Sequence, residues 1–249
     1  MKENKNNTLV NNMNIISLSG GKDSTAMLLM MLEKGYRIDE IIFCDTTVEF
    51  PEMYRHLDKL EKYIDIKITR LKQQHDFKYM MFNHVKTKGK NKGERGYSWA
   101  DFRNRWCTKY FKQQPFRKYI KEKYKNKAVN IYIGIAADEP KRIKNDIYPL
   151  VDWGITEQKA LEYCYSKGFD WEGLYEKFDR VSCWCCPLKN LDELRNLRKH
   201  FPILWEKLRK MDARTYRQFR ADYSVEELEE KFSAEEKQLK LCNDKERGE

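Results

Sequence analysis

Along this chain, short isoleucine-rich runs alternate with stretches in which apolar residues recur at helical spacing. Asn14-Ile15-Ile16-Ser17-Leu18 is brief and β-prone, and it leads through a Ser-Gly-Gly turn into a helical pattern over 24–34. The unit then repeats. Ile41-Ile42-Phe43-Cys44 reads as a strand, Asp45-Thr46-Thr47 as a turn, and Pro51 as the first position of a helix over 52–63. Ile64, Ile66 and Ile68 alternate with Asp65, Lys67 and Thr69, the period of two expected for a half-exposed third strand. A later strand covers 130–135. Strands alternating with helices predict an α/β fold, doubly wound and Rossmann-like, around a mainly parallel sheet covered on both faces.

Outside these repeats the pattern changes character. Residues 1–12 are polar and Asn-rich and read as a flexible leader. The segment 86–96, which carries Lys86, Lys88, Lys90, Lys92 and Arg95 between glycines, has no apolar period and reads as a mobile basic loop. From Leu191 onward the leucines at 191, 194 and 197 share a helical face, Pro202 breaks the pattern, and Leu204 and Leu208 resume it. The expected organisation is therefore a leader over 1–12, a nucleotide-binding α/β domain with its cysteines over 13–188, and a helical extension over 189–249.

Composition narrows the classes. With 41% hydrophobic and 35% charged residues the chain has enough apolar material for a core. No run approaches the roughly 20 apolar residues of a membrane span, and the start lacks an apolar signal core, so no membrane partner is expected and the cytoplasm is the expected location. Seven cysteines, crowded at Cys183, Cys185 and Cys186, suit metal or redox chemistry better than a secreted disulfide framework. A net charge of +10 favours a polyanionic partner without choosing among nucleic acid, nucleotides and other anions.

The candidate chemistry starts at Ser19-Gly20-Gly21-Lys22-Asp23-Ser24. A strand ending in two glycines lets backbone N–H groups wrap phosphate oxygens without an obstructing Cβ, and the following helix adds its positive end. Lys22 supplies a mobile charge, and Ser19 and Ser24 supply hydroxyls. The adjacent glycines exclude the Walker A spacing, so a P-loop ATPase is disfavoured. The same residues are compatible with nothing more than a tight strand-to-helix turn.

This loop closely resembles the SGGxDS loop of the PP-loop superfamily of adenine nucleotide α-hydrolase-like enzymes, and the resemblance extends along most of residues 14–188. Asp45-Thr46-Thr47-Val48-Glu49-Phe50-Pro51-Glu52 is similar to the DTGxxFPET segment of phosphoadenylyl sulfate (PAPS) reductase-like proteins, with Thr47 in place of the glycine. Gly134-Ile135-Ala136-Ala137-Asp138-Glu139-Pro140-Lys141-Arg142 resembles the family's GxxxxExxR element. Arg105-Trp106-Cys107-Thr108, Leu174-Tyr175 and Cys183-Trp184-Cys185-Cys186-Pro187 follow in the order of its PAPS reductase-like branch, which includes enzymes that install sulfur in DNA or RNA. The resemblance implies a site for ATP or an adenylyl sulfate made by Ser19, Gly20, Gly21, Lys22, Asp23, Ser24, Asp45, Thr46, Gly134, Glu139 and Arg142. Lys22, Asp23 and Arg142 would be its catalytic groups. Arg142 would pair with a phosphate or sulfate, and Glu139 or Asp138 would orient it or hold Mg2+.

Cys183 and Cys186 have the CxxC spacing that lets two thiolates reach one metal from a single turn. The family pattern brings the equivalent of Cys107 beside them. Three thiolates suit a [4Fe–4S] cluster with an open iron, Cys185 would complete a set of four, and Zn2+ is the alternative. Two departures from the family stand out. Adenylyl sulfate reductases carry a Cys-Cys pair where this chain has Trp106-Cys107, and the nucleophilic Glu-Cys-Gly-Leu/Ile-His tail of the sulfonucleotide reductases has no counterpart around Cys242.

Three functions remain open on these grounds. The first is an ATP pyrophosphatase that adenylylates an acceptor and lets sulfur, delivered by a donor protein, displace AMP. Its acceptor could be a nucleic acid held by the basic loop between Lys86 and Arg95 with Tyr97, Trp99 and Phe102 beside it. The second is a PAPS or adenylyl sulfate reductase releasing sulfite. The third is a non-catalytic nucleotide- or nucleic-acid-binding protein on the same fold.

Overall fold

A computed structural model describes residues 12–246, with side chains through Leu239; the expected leader 1–12 lies almost wholly outside the described residues. Four strands, β1 (Met13–Leu18), β2 (Glu40–Asp45), β3 (Ile68–Lys72) and β4 (Val129–Ile133), form one parallel sheet in the order β3-β2-β1-β4. Nine α-helices are described: α1 (Lys22–Glu33), α2 (Pro51–Ile64), α3 (Phe77–Phe82), α4 (Gln114–Lys123), α5 (Pro149–Asp152), α6 (Glu157–Ser166), α7 (Leu191–His200), α8 (Pro202–Asp212) and α9 (Val225–Glu246). Among the described residues no helix is long and apolar enough to cross a membrane.

The chain divides into two bodies. The first, residues 1–74 with 107–182, contains the whole sheet. β1 is its central strand, paired with β2 through Ile15 opposite Glu40 and with β4 through Ile15 opposite Ile131. Ile15 and Ile16 are fully buried on opposite faces, which is why this strand reads as a continuous apolar run. Tyr124 packs with Ile15 and Ile42 on one face, joined by Phe116, Tyr119 and Ile120 of α4. α1 packs against α5 and α6, burying Ala26, Met27, Leu28, Leu29 and Met31.

Most elements lie where the apolar pattern places them, but the third strand does not. α2 continues through Ile64 and stops at Asp65, whose left-handed backbone (φ 51°) ends the helix. β3 begins only at Ile68. The isoleucine alternation at 64–68 is thus a helix end followed by a turn, a short apolar run whose period cannot arbitrate between states.

The order β3-β2-β1-β4 means that successive connections run one way from β1 to β2 and β3, then return to β4 on the other side of β1. The carboxyl end of β1 lies at this reversal, the usual ligand position in open α/β sheets.

The second body, which groups residues 75–106 with the chain from 183 onward, holds α3 and α7 to α9, with turns and irregular backbone over most of 83–105. Asn190 opens α7 with a capping box to Glu193. Pro202 starts α8 rather than merely interrupting a helix. Arg198 of α7 reaches Glu229 of α9 at 2.9 Å, and Trp205 of α8 donates to the same carboxylate at 2.6 Å. The sequence reading assigns 75–106 and 183–188 to the nucleotide-binding domain; here they cluster with the C-terminal helices.

Candidate nucleotide site

The turn between β1 and α1 is shaped by its backbone. Gly20 adopts φ +81°, a left-handed conformation that residues with a side chain rarely adopt. Gly21 is the N-cap of α1 in an extended conformation, so the amides of Asp23 and Ser24 have no acceptor within the helix. Ser24 Oγ, buried, lies 2.9 Å from Ser19 Oγ and donates to the Gly21 carbonyl at 3.1 Å, while the Ser19 amide donates to Ser24 Oγ at 3.2 Å. The two hydroxyls therefore stiffen the loop from within. Gly134, just past β4, abuts the same turn: a Cβ there would lie 2.5 Å from the Cα and amide nitrogen of Ser24. Its glycine is required by backbone approach alone.

Lys22 differs from the mobile cation expected of it. It is 6% exposed, its ammonium contacts a Glu157 carboxylate oxygen at 2.5 Å and stands 5.5 Å from the Tyr175 ring centre, and Asp23 lies 3.8 Å away. Burial raises the Asp23 carboxyl to a pKa of about 6, Lys22 opposes the shift, and Glu157 and Glu139 add to it. Asp23 Oδ1 is shielded from solvent and has no hydrogen-bond partner among the described residues. Asp138 caps α6 by accepting the Glu157 amide at 3.0 Å. Glu139 accepts from Arg142 at 2.6 and 2.7 Å, with the guanidinium about half exposed.

The loop after β2 is satisfied internally. Asp45 Oδ1 accepts the Thr47 amide and the Tyr54 hydroxyl, both at 2.7 Å, and Thr46 donates to Glu49 at 2.8 Å. Thr47, at the position of the family's glycine, sits at φ 65°. A β-branched residue is strained there. A cleft of about 300 Å³ opens over the carboxyl halves of β1, β2 and β4, walled on its other side by residues 112–117. Leu18, Ser19, Phe43, Cys44, Gln113, Phe116, Arg117 and Ile133 line it. It is mostly apolar with a few polar groups, the character of small-molecule sites. Burial pushes the Cys44 thiol up to about 11, so it stays protonated.

The family model for the phosphoadenosine phosphosulfate reductase domain matches residues 13–189, which include every strand of the sheet and this site. The chain belongs to that family. A PAPS reductase from Candida auris, solved as a phosphate complex, superposes with a TM-score of 0.50 at 16% identity, covering 69% of this chain and 81% of that one, a likeness of fold. The U34-tRNA thiolase NcsA of Methanococcus maripaludis, solved with its [4Fe–4S] cluster, gives a TM-score of 0.43 at 19% identity over 84% of this chain and 74% of that one. Uncharacterized protein MJ0066 of Methanocaldococcus jannaschii is 29% identical over 208 residues, 78% of this chain but 40% of that protein. The nin region protein ORF290 of phage lambda is 29% identical over 146 residues, 53% of this chain and 50% of its own length. The chain thus spans half or less of these curated relatives.

The PAPS reductase-domain cysteines are distributed over both bodies. Cys107 belongs to the sheet-bearing body and immediately precedes a π-helical segment, Thr108–Gln113. Cys183, Cys185 and Cys186 belong to the second body, where the Cys186 amide donates to the Cys183 carbonyl at 3.1 Å and the Lys189 amide to the Cys186 carbonyl at 3.2 Å. Cys185 is buried. The Lys189 side chain is buried too, 3.8 Å from Glu193; burial lowers its pKa, against the charges of Glu193 and the three thiols of the turn. Among the described residues no three His, Cys, Asp or Glu side chains are grouped so as to hold a metal ion. Three thiols on one turn beside a buried ammonium suit an anionic thiolate centre chemically, but the arrangement is not that of a preformed ligand set.

The basic segment, read as a mobile loop, is bonded at its base and exposed at its tip over 87–95. Val85 and Arg95 form an antiparallel bridge, and Lys86, buried, contacts Glu94 and the Tyr216 hydroxyl, each at 3.0 Å. Trp99, expected to stack on a base, is fully buried and donates to Asp212 at 2.7 Å. Tyr97 stacks on His84 and Trp106. Phe102 alone of the three presents its ring, at 70% exposure.

Sequence reasoning missed the aromatic support of the phosphate loop. Trp171 Nε1 donates to the Gly20 carbonyl at 2.8 Å, and Thr25 Oγ1 lies 3.1 Å from His56 Nε2, whose ring stacks on Trp171. His56 is buried and its pKa falls to about 3, so it is neutral. The available signal was the i, i+4 pair Trp171 and Tyr175 in a segment noted only for its order. For Glu157 the sequence offers no signal beyond the Thr156 N-cap before it.

Proposed function

We propose that this PAPS reductase-domain protein binds ATP with its phosphates on the Ser19–Ser24 turn and its adenosine in the adjoining cleft, and uses it to adenylylate an acceptor. The observation that carries the reading is the pairing of an amide-lined, glycine-dependent turn at the end of β1 with an apolar cleft across the same strand ends. An acceptor oxygen attacks the α-phosphorus, the α–β P–O bond breaks, and pyrophosphate leaves; a sulfur nucleophile from a donor protein then displaces AMP. Loop amides and Lys22 offset charge developing on the phosphates, with Arg142 and Mg2+ assigned the same task.

The acceptor class assigned to this reading is nucleic acid, supported by the basic 86–95 turn and exposed Phe102. Cys183, Cys185 and Cys186, with Cys107 from the sequence pattern, are the thiolates that would hold a [4Fe–4S] cluster or zinc. Such a centre would supply sulfur or electron chemistry. Iron, sulfide and zinc analysis of anaerobically purified protein distinguishes the two.

Calorimetric titration with Mg·ATP tests the nucleotide reading. Binding in the micromolar range that weakens at least about tenfold in Lys22→Ala is expected, since a charge-assisted contact is worth about 1.5–3 kcal/mol. Wild-type protein that binds adenosine phosphates no better than inorganic phosphate would sink it. Release of sulfite from an adenylyl sulfate with thioredoxin would redirect it to a reductase.

A further inference from the structure

The phosphate turn is contacted by a side chain from the far end of the sheet-bearing body. The Lys22 amide, first of the unpaired donors of α1, donates to the Tyr175 hydroxyl at 2.7 Å. That oxygen packs close against the turn: a Cβ added to Gly21 would stand 3.1 Å from it. The phenol is held there at some conformational cost. Trp171 and Glu172, neither of them glycine, adopt φ 50° and 53°, and Gly173 follows at φ 77°. Each non-glycine residue in that region costs on the order of 1 kcal/mol. Arg55 holds the Glu172 side chain with a two-pronged ion pair at 2.6 and 2.7 Å. The Asp170 side chain also accepts the Glu172 amide at 3.2 Å. Trp171 then meets Tyr175 edge to face at 4.8 Å while anchoring the Gly20 carbonyl.

We propose that Tyr175 is a phosphate-binding residue of this site: its hydroxyl accepts the Lys22 amide and donates its own proton to a phosphoryl oxygen of the nucleotide. A phenol has one donor and two acceptor positions, so accepting from Lys22 leaves the O–H available and fixes the oxygen about which it rotates. Burial raises the phenol's pKa well above its ordinary value, and Asp23 and Glu157 add to the shift, so the proton is retained at neutral pH. A neutral donor also suits its surroundings. Lys22 is engaged by Glu157 and Asp23, and the hydroxyl adds a donor to the turn without adding a charge that those carboxylates would neutralise. The proposal rests on the nucleotide reading given above.

Removing the hydroxyl separates this role from simple occupancy of the turn. Tyr175→Phe keeps the ring packing but removes both the acceptor and the donor, so the Lys22 amide is released. If the hydroxyl merely fills the turn, releasing that amide tightens anion binding; if it donates to phosphate, binding weakens. Inorganic pyrophosphate, ATP and adenosine are titrated separately into full-length wild-type and Tyr175→Phe protein. The expected result is an affinity about tenfold lower for pyrophosphate and ATP with adenosine unchanged, as for loss of one charge-assisted hydrogen bond. Unchanged or tighter pyrophosphate binding in the variant overturns the role of Tyr175 while leaving the nucleotide reading intact. Parallel losses for adenosine and pyrophosphate with a lowered Tm overturn it as well, because they report a purely structural residue. Wild-type protein that binds none of the three overturns both proposals together.

Discussion

Two loops leave the carboxyl ends of neighbouring strands in the same sheet and spend their polar groups in opposite ways. The turn after β1 uses its serine hydroxyls to brace its own backbone and leaves the amides of Asp23 and Ser24 without an acceptor in the helix. The loop after β2 turns Asp45, Thr46 and Glu49 on itself and on Tyr54. Both resemble family motifs, the second with Thr47 where the family has glycine. The difference teaches that a motif identifies a turn's shape, whereas its ligand capacity depends on which donors the surrounding fold has already consumed.

The sharpest way to break the first loop without touching its own residues is from behind. Gly134→Ala would place a methyl against the Ser24 backbone, which no side-chain rotation can relieve. Overpacking of this kind costs about 3 kcal/mol. Denaturant unfolding should show that loss, and ATP binding should fall with it as the start of α1 is displaced. A Gly134→Ala protein of wild-type stability would mean that β4 and α1 are less tightly apposed than described.

Asp23 gives a smaller effect with a pH signature. Its carboxyl is raised from 3.8 to about 6, so between those values the folded state holds more protons than the unfolded state. Stability therefore falls as pH rises from about 4 to 6 and levels off above. Asp23→Asn should remove this slope, gaining about 2–3 kcal/mol at pH 8 and little at pH 3 or below, where the acid is largely protonated in both states. A gain of equal size at both pH values would assign the cost to something other than ionisation.

The second loop offers the smallest test, again a gain. Thr47 occupies a left-handed position that glycine favours, so Thr47→Gly should stabilise the fold by about 1 kcal/mol or raise Tm by a few degrees. An unchanged or lowered Tm would show that the Thr47 side chain contributes contacts worth more than its strain.

The sheet-bearing body was largely legible in the sequence because its signals are local. β1, α1, β2 and α2 each follow from an apolar run, a glycine pair or a proline at a helix start. β3 was misplaced because three isoleucines at alternate positions fit a helix end and a turn as well as a strand. In the site, Gly20, Gly21, Lys22 and Asp23 were found as a contiguous motif. Lys22's ion pair with Glu157 was not, since it joins residues 135 positions apart. Trp171 and Tyr175 act on the turn from about 150 positions away, and no periodicity encodes such a contact. The second body failed to appear for the same reason: nothing in 75–106 announces that its packing partners begin at Cys183.

That discontinuity has a consequence for how the chain comes off the ribosome. Residues 75–106, including buried Trp99 and the bridge from Val85 to Arg95, emerge before the helices that complete their body, which start only after the final strand has been made. The sheet can close while this excursion still exposes apolar surface, so synthesis passes through a stage in which one half is folded and the other waits.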